Sequence, residues 1–237
     1  MSQTQQHFDK IAGRYKKAAD SWESVYRKAR EVIEPEVTGK LVLDIGSGGY
    51  FPYDTRLPSK VTALDISPAM LDKITDLHIE KIVGDARSLE NVPDNSFDVV
   101  LFALSVHHIN GHSVRESLSV LDCLIVASQK KLKKGGKLIL MEPTLARPLF
   151  FLEEVFFSLI YLFLALFKVS MIFFYSPDQL KRHLAGGFGI PETQVEVISL
   201  PIQGFIDPLG GSFPGLLRIP AWLCPTRYYL FLAKKFA

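Results

Sequence analysis

Residues Leu41 to Phe51 read LVLDIGSGGYF, an apolar run that ends in an acid and passes at once into glycines. An acid at the tip of a buried strand, followed by Gly46, Ser47, Gly48 and Gly49, lets the backbone bend tightly and turn its amides towards a ligand. Three readings compete. A dinucleotide fingerprint, G-x-G-x-x-G, requires a third glycine where this chain has Phe51, so it fails on spacing. The pattern acid-x-G-x-G instead suits a ligand with an amino group and a carboxylate. Asp44 would anchor the amino-acid end through charge-assisted bonds, and the glycines would allow close approach. The third reading is a structural turn with no ligand.

The strand and acid pattern repeats downstream. Val61 to Leu64 ends in Asp65, near the spacing of about twenty residues at which a second-strand acid grips ribose hydroxyls. Asp85, in IVGDARSLE, follows a third short apolar segment, and FDVVLFA (97–103) reads as a fourth buried strand. Polar residues at successive strand ends collect along one edge of a parallel sheet, where open α/β folds bind their ligands.

In this order, DIGSG, ALDISPAML, GDARSLENVPDNSFDVV, SVHHI and LKKGGKLILMEP resemble the class I S-adenosylmethionine-dependent methyltransferases, within them the small-molecule group that includes the ubiquinone and menaquinone C-methyltransferases. The resemblance runs from about Phe8 to Pro143. It implies that Asp44, Gly46, Ser47 and Gly48 hold the methionine portion of S-adenosyl-L-methionine. By the same resemblance Asp65 takes the ribose hydroxyls, Ile66 and Met70 flank the adenine, Asp85 receives the adenine amino group beside Ala86, and Leu104 completes the pocket. Tyr15, in FDKIAGRY, is the candidate for covering the methionine end. One departure stands out: the family's third glycine falls at Tyr50, with Gly49 one place early.

Composition fits one globular domain over 1–237, because 237 residues at 48% hydrophobic suffice for a substantial core; the resemblance implies that it is a methyltransferase domain. The expected fold is an α/β doubly wound, Rossmann-like seven-stranded sheet with an antiparallel last strand. An N-terminal helical cap is expected over 1–36, with strands starting near Leu41, Val61, Lys81 and Phe97 and a fifth over Lys137 to Met141. Gln194 to Leu200 and Arg227 to Ala233 alternate as closing strands. The net charge of +2 argues against a nucleic-acid coat. Cys123 and Cys224 stand too far apart in sequence to suggest a disulfide framework or zinc pairing. Reduced cysteines and a polar N-terminus without a secretory core predict a cytoplasmic location.

An apolar helical insertion, 147–180, breaks the regular pattern between strands five and six. From Val155 to Tyr175 only Lys168 is charged. About twenty apolar residues could span a bilayer, but a single crossing would place strands of one sheet on opposite sides. A buried helix pair broken near Lys168, a lid over the acceptor pocket, and a surface lying in the membrane interface remain, the last giving peripheral membrane contact through 148–175.

His107, His108 and His112 have spacings compatible with a shared ion, but lack neighbouring ligands to complete a set, so no metal is expected. Either His107 or His108 is a candidate general base; the structural reading packs His107 under the loop and leaves His108 in solvent. The run QKKLKKGGK (129–137) reads as a helix end with Gly135-Gly136 as its stop. Leu104-Ser105-Val106 occupies the place where base and amide methyltransferases carry an Asn or Asp followed by Pro-Pro and an aromatic. That disfavours a nucleic-acid acceptor and leaves a small molecule, which the apolar segment makes hydrophobic. Tyr50 and Phe51 are candidates for cation–π contact with the sulfonium. The expected reaction is in-line methyl transfer; the alternative is a catalytically silent methyltransferase-like adaptor that contacts a membrane or a partner protein.

Overall fold

The computed structural model describes residues 3–19, 23–145, 147–166, 172–202, 205–206, 219–220 and 223–236; side chains at 3, 14–19, 147–148, 164–166 and 205–206 lie outside the description. Two helices, α1 (Gln3–Ala19) and α2 (Glu23–Val37), precede β1 (Leu41–Ile45) and β2 (Lys60–Asp65). Next come the short α3 (Pro68–Leu71), β3 (Ile79–Val83), β4 (Phe97–Ala103), a 3₁₀ turn (Val106–His108), α4 (Val114–Lys131) and β5 (Leu132–Leu145). The chain continues through α5 (Arg147–Leu166), α6 (Pro177–Phe188), β6 (Glu196–Leu200), β7 (Phe205–Ile206), β8 (Ile219–Pro220) and β9 (Thr226–Lys234).

The main sheet has seven strands in the order β3-β2-β1-β4-β5-β9-β6. The first five run parallel, and β9 is antiparallel to both β5 and β6. This is the expected doubly wound, Rossmann-like sheet with its antiparallel closure. β7 and β8 pair separately.

Alternation along each strand sorts side chains between two cores. Val42, Val61, Val99, Leu101 and Ile139 pack with Val25, Ala29 and Ile33 of α2 on one face. Leu43, Ile45, Leu64, Val100 and Phe102 pack with Leu121 and Leu124 of α4 and Leu180 and Leu184 of α6 on the other. A period of two thus sends Asp44 to the α2 face, the same side as Val42. The order of the strands reverses between β1 and β4, so their carboxyl ends part there and open a crevice.

Two sequence expectations change. Gly135-Gly136 does not stop the helix: α4 ends at Lys131 and the glycines lie within β5. The strand begins early because Lys133 reaches Asp98 of β4 at 3.2 Å and Gly135 N–H donates to Lys235 O. The apolar segment is likewise not wholly core. In α5, Phe157 is buried, but Leu149, Phe151, Leu152, Val155, Phe156, Leu159, Leu162 and Phe163 are exposed. Lys168 and Phe167 lie outside the described residues. No helix among those described is long and apolar enough to cross a membrane.

Candidate active site

A cavity opens at the crevice between β1 and β4, the place where open α/β sheets bind their ligands. Each strand end contributes to its wall. Ile45, Gly46 and Gly48 follow β1; Leu64, Asp65 and Ile66 follow β2, with Met70 from α3. Gly84, Asp85, Ala86 and Arg87 follow β3, and Leu104, Ser105, His108 and Ile109 follow β4. Thr4 and Phe8 of α1 complete the wall.

The glycine turn is shaped for close approach. Gly46 has φ +72°, and a Cβ there would lie 2.7 Å from Cβ of Ser105. Gly48 and Gly49 also have positive φ, at 57° and 80°, so three of the turn's four residues hold a backbone conformation that glycine adopts without strain. On the opposite side Leu104 has φ +53°. This αL kink, costing about 1–3 kcal/mol for a residue with a Cβ, turns the chain sharply out of β4 and places Ser105 over Gly46. Ser105 Oγ donates to Ile45 O at 3.0 Å, tying the two strand ends together.

Asp65 is 7% exposed. Its carboxylate accepts from Gly48 N–H at 3.3 Å and Ser67 N–H at 2.9 Å. Burial pushes its pKa up to about 6; these backbone donors oppose the shift, and Asp9 adds to it. Asp9 in turn accepts from Ser67 Oγ at 2.5 Å, fastening α1 beside the cavity. Asp85 accepts from Arg87 N–H at 2.9 Å.

Nine expected residues therefore meet around one space: Gly46, Gly48, Asp65, Ile66, Met70, Asp85, Ala86, Leu104 and His108. Asp44, Ser47 and His107 do not line it. Asp44 faces α2 by strand alternation, is fully buried, and accepts from Tyr53 Oη at 3.0 Å. Its pKa rises to about 7 through burial, against the Tyr53 bond and with a further push from Asp65. Its Oδ1 is buried without a hydrogen-bond partner among the described residues, as expected of an acceptor awaiting a donor. The side chain of Tyr15 lies outside the described residues. Tyr50 and Phe51 turn away from the cavity, Tyr50 towards Tyr26 and Phe51 towards Tyr53. Thr4, Phe8, Arg87, Ser105 and Ile109 are wall residues that the strand and acid pattern does not reveal.

The family model described as a methyltransferase domain matches residues 43–140, the span that contains every strand end around this cavity. With this fold, that match supports an S-adenosylmethionine-dependent methyltransferase, with S-adenosylmethionine as its cofactor. Among solved structures, a chain of the complex between the Haloferax volcanii Trm112 methyltransferase activator and a methyltransferase is similar. It has 18% identity and a TM-score of 0.66, with 97% of each chain covered. Haemonchus contortus phosphoethanolamine N-methyltransferase 2, solved with S-adenosyl-L-methionine, shares 14% identity over all of this chain and 61% of its own, with a TM-score of 0.62. A geranyl diphosphate methyltransferase solved with GPP and sinefungin shares 14% identity over 88% of this chain and 77% of its own, with a TM-score of 0.59. No curated protein matches in sequence.

In this methyltransferase the two candidate base residues differ sharply. His108 faces the cavity with its ring edge-on to Phe8 at 4.9 Å, so it is not simply in solvent. Burial, together with His107 and His7, pushes its pKa well below the ordinary histidine value. His107 is buried and stacks parallel to Phe174 at 5.9 Å. Its Nδ1 lies 2.7 Å from Glu142 Oε2. The adaptor reading is not favoured, because the match and the fold both support methyl transfer.

Proposed function

We propose that this methyltransferase transfers the methyl of S-adenosylmethionine to a small, lipophilic acceptor that it collects at a membrane surface. The observation that carries the reading is the outward face of α5. Leu159 and Leu162 are 65% and 60% exposed, in a helix that is apolar apart from Arg147, Glu153, Glu154 and Ser158. A contiguous apolar face of this kind on a soluble monomer marks an interaction surface. The inner side of the same helix meets the segment over the candidate base: Glu153 Oε1 accepts from Phe174 N–H at 3.1 Å, and Phe174 stacks on His107. An acceptor moving along α5 would therefore reach the catalytic end of the cavity without crossing water. The geranyl diphosphate methyltransferase shows that a related fold hosts an isoprenoid ligand.

In this reading Gly46 and Gly48 give the methionine portion close backbone approach, and Asp44 Oδ1 awaits its amino group. Asp65 would receive the ribose hydroxyls, Ile66 and Met70 would pack on the adenine, and Asp85 would accept its amino group beside Ala86. The bound cofactor supplies an electrophilic methyl. The protein contributes alignment, worth several kcal/mol as effective molarity, and one base. His107 fits that role better than His108, whose environment opposes protonation.

The test is incubation of the protein and a membrane lipid extract with cofactor carrying a labelled methyl. Label recovered in the organic phase is expected. Cofactor binding by calorimetry with no label in any lipid fraction would overturn the lipophilic acceptor.

A further inference from the structure

We infer that Glu142 is the positioning residue of this methyltransferase, holding His107 in the one tautomer and orientation that can take a proton from the acceptor. The inference rests on the reading of His107 as the base. It goes beyond that reading in naming the group that sets its proton.

Glu142 occupies β5 just after Met141, at the carboxyl end of the strand beside β4, and is 1% exposed. A buried carboxylate is costly unless its oxygens are bonded. Here Oε1 accepts two backbone N–H groups, from Ser105 at 3.0 Å and Val106 at 2.8 Å. Oε2 lies 2.7 Å from His107 Nδ1. A carboxylate oxygen so close to a ring nitrogen requires the proton to sit on Nδ1, which leaves Nε2 as the nitrogen able to accept one. The ring cannot easily turn. Phe174 stacks on one side, His108 lies 4.1 Å away, and His107 O accepts from Phe173 N–H at 3.0 Å. Glu142 thus ties three things together: the β4 exit that carries Leu104 and Ser105 to the cavity, the base, and, through His107 O, the segment leading into α6.

The arrangement also says something about the acceptor. A fixed Nε2 base serves an acceptor that arrives with its proton, such as a hydroxyl, and is unnecessary for one that arrives as an anion. The acceptor oxygen forms its bond to the methyl carbon, the methyl–sulfur bond breaks with its electron pair returning to sulfur, and the acceptor proton passes to Nε2. The products are the methylated acceptor, S-adenosylhomocysteine and an imidazolium paired with Glu142, which later releases the proton to solvent.

Two measurements test this. Nitrogen-15 NMR of the histidines at alkaline pH should show His107 as the Nδ1–H tautomer in the unaltered protein. In Glu142→Gln the amide oxygen can keep the backbone bonds while its NH₂ faces the ring, so His107 should switch to Nε2–H. Transfer of labelled methyl into the membrane lipid extract should then fall about a hundredfold or more in Glu142→Gln. His107→Gln should fall by a similar factor and the double variant no further, because the two act as one unit. Cofactor affinity should stay within about twofold throughout. An Nε2–H tautomer in the unaltered protein, or losses that multiply in the double variant, would overturn the assignment. If Glu142→Gln does not fold, the spectrum of the unaltered protein still decides. If the unaltered protein labels no lipid, the acceptor reading fails while the tautomer result stands separately.

Discussion

At the residue scale the cavity is governed by carboxyl groups held out of water. Asp44 and Asp65, pushed up to about 7 and about 6 by burial, carry protons when the cofactor is absent and the pH is mildly acidic. A cationic amino group and ribose hydroxyls favour the ionised forms. Cofactor binding should therefore release protons, and affinity should fall as pH drops through 7 and then 6, by up to about tenfold per unit for each group. Calorimetry in buffers of different ionisation heat measures both effects; a flat affinity from about pH 8 to 5 would show that neither carboxyl meets the cofactor. Stability moves the other way. Both folded pKa values exceed the ordinary aspartate value of 3.8, so ionisation penalises the folded form above about pH 4, and fully above the folded values. Asp44→Asn should raise the apo Tm near pH 8, leave it unchanged near pH 3, and weaken the cofactor. Asp65→Ala should weaken cofactor binding by about 2–3 kcal/mol through lost charge-assisted bonds while the fold persists. Gly46→Ala combines a positive φ with a contact of 2.7 Å to Ser105, and should abolish binding with a loss of about 1–3 kcal/mol in stability.

The element scale belongs to α5. A helix that exposes Val155 and Leu159 while burying Phe157 gives two classes of substitution on one turn of backbone. Val155→Ser with Leu159→Ser should leave Tm nearly unchanged, because those side chains gain little on folding, and should abolish co-flotation with liposomes. Phe157→Ala should instead cost about 3–5 kcal/mol, as large buried aromatics do, without removing liposome binding by the folded fraction. A drop in Tm for the outer pair with flotation unaltered would return α5 to an ordinary packing element. The inner side adds a pH-sensitive group: burial pushes Glu153 up to about 8, with Glu154 adding to it and the Phe174 N–H opposing.

At the scale of the whole molecule, α1 closes over a cavity that the sheet builds. Phe8 meets His108, and Asp9 takes the Ser67 hydroxyl next to Asp65, so the cap contacts both ends of the site. Cofactor should tighten that contact. At a cofactor concentration of about 100 times Kd, linkage gives about 2.7 kcal/mol of added stability, read as a rise in Tm. Phe8→Ala should reduce this rise and raise the cofactor's Kd with a smaller effect on the apo protein. An unaltered Kd would show that α1 covers the site without contributing to it.

Much of this protein was legible in the chain itself. Period-two apolar runs ending in Asp44, Asp65 and Asp85, each followed by turn residues, determined the strands, their parallel pairing and the edge where a ligand sits, because those signals are local and repeat. The same locality explains what was missed. Asp44 lies buried on the α2 side at the base of the glycine turn, beside Tyr53, because its parity along β1 matches Val42, and only the packed sheet shows which face is which. Gly135-Gly136 looks like a helix stop until Asp98 and Lys235, distant in sequence, draw it into β5. Glu142 carries no local mark at all, since its meaning comes from Ser105, Val106 and His107 across the neighbouring strand end. The exposed side of α5 was likewise undecidable from an all-apolar composition; burial is a property of what the rest of the chain leaves uncovered, and tertiary structure alone sets that.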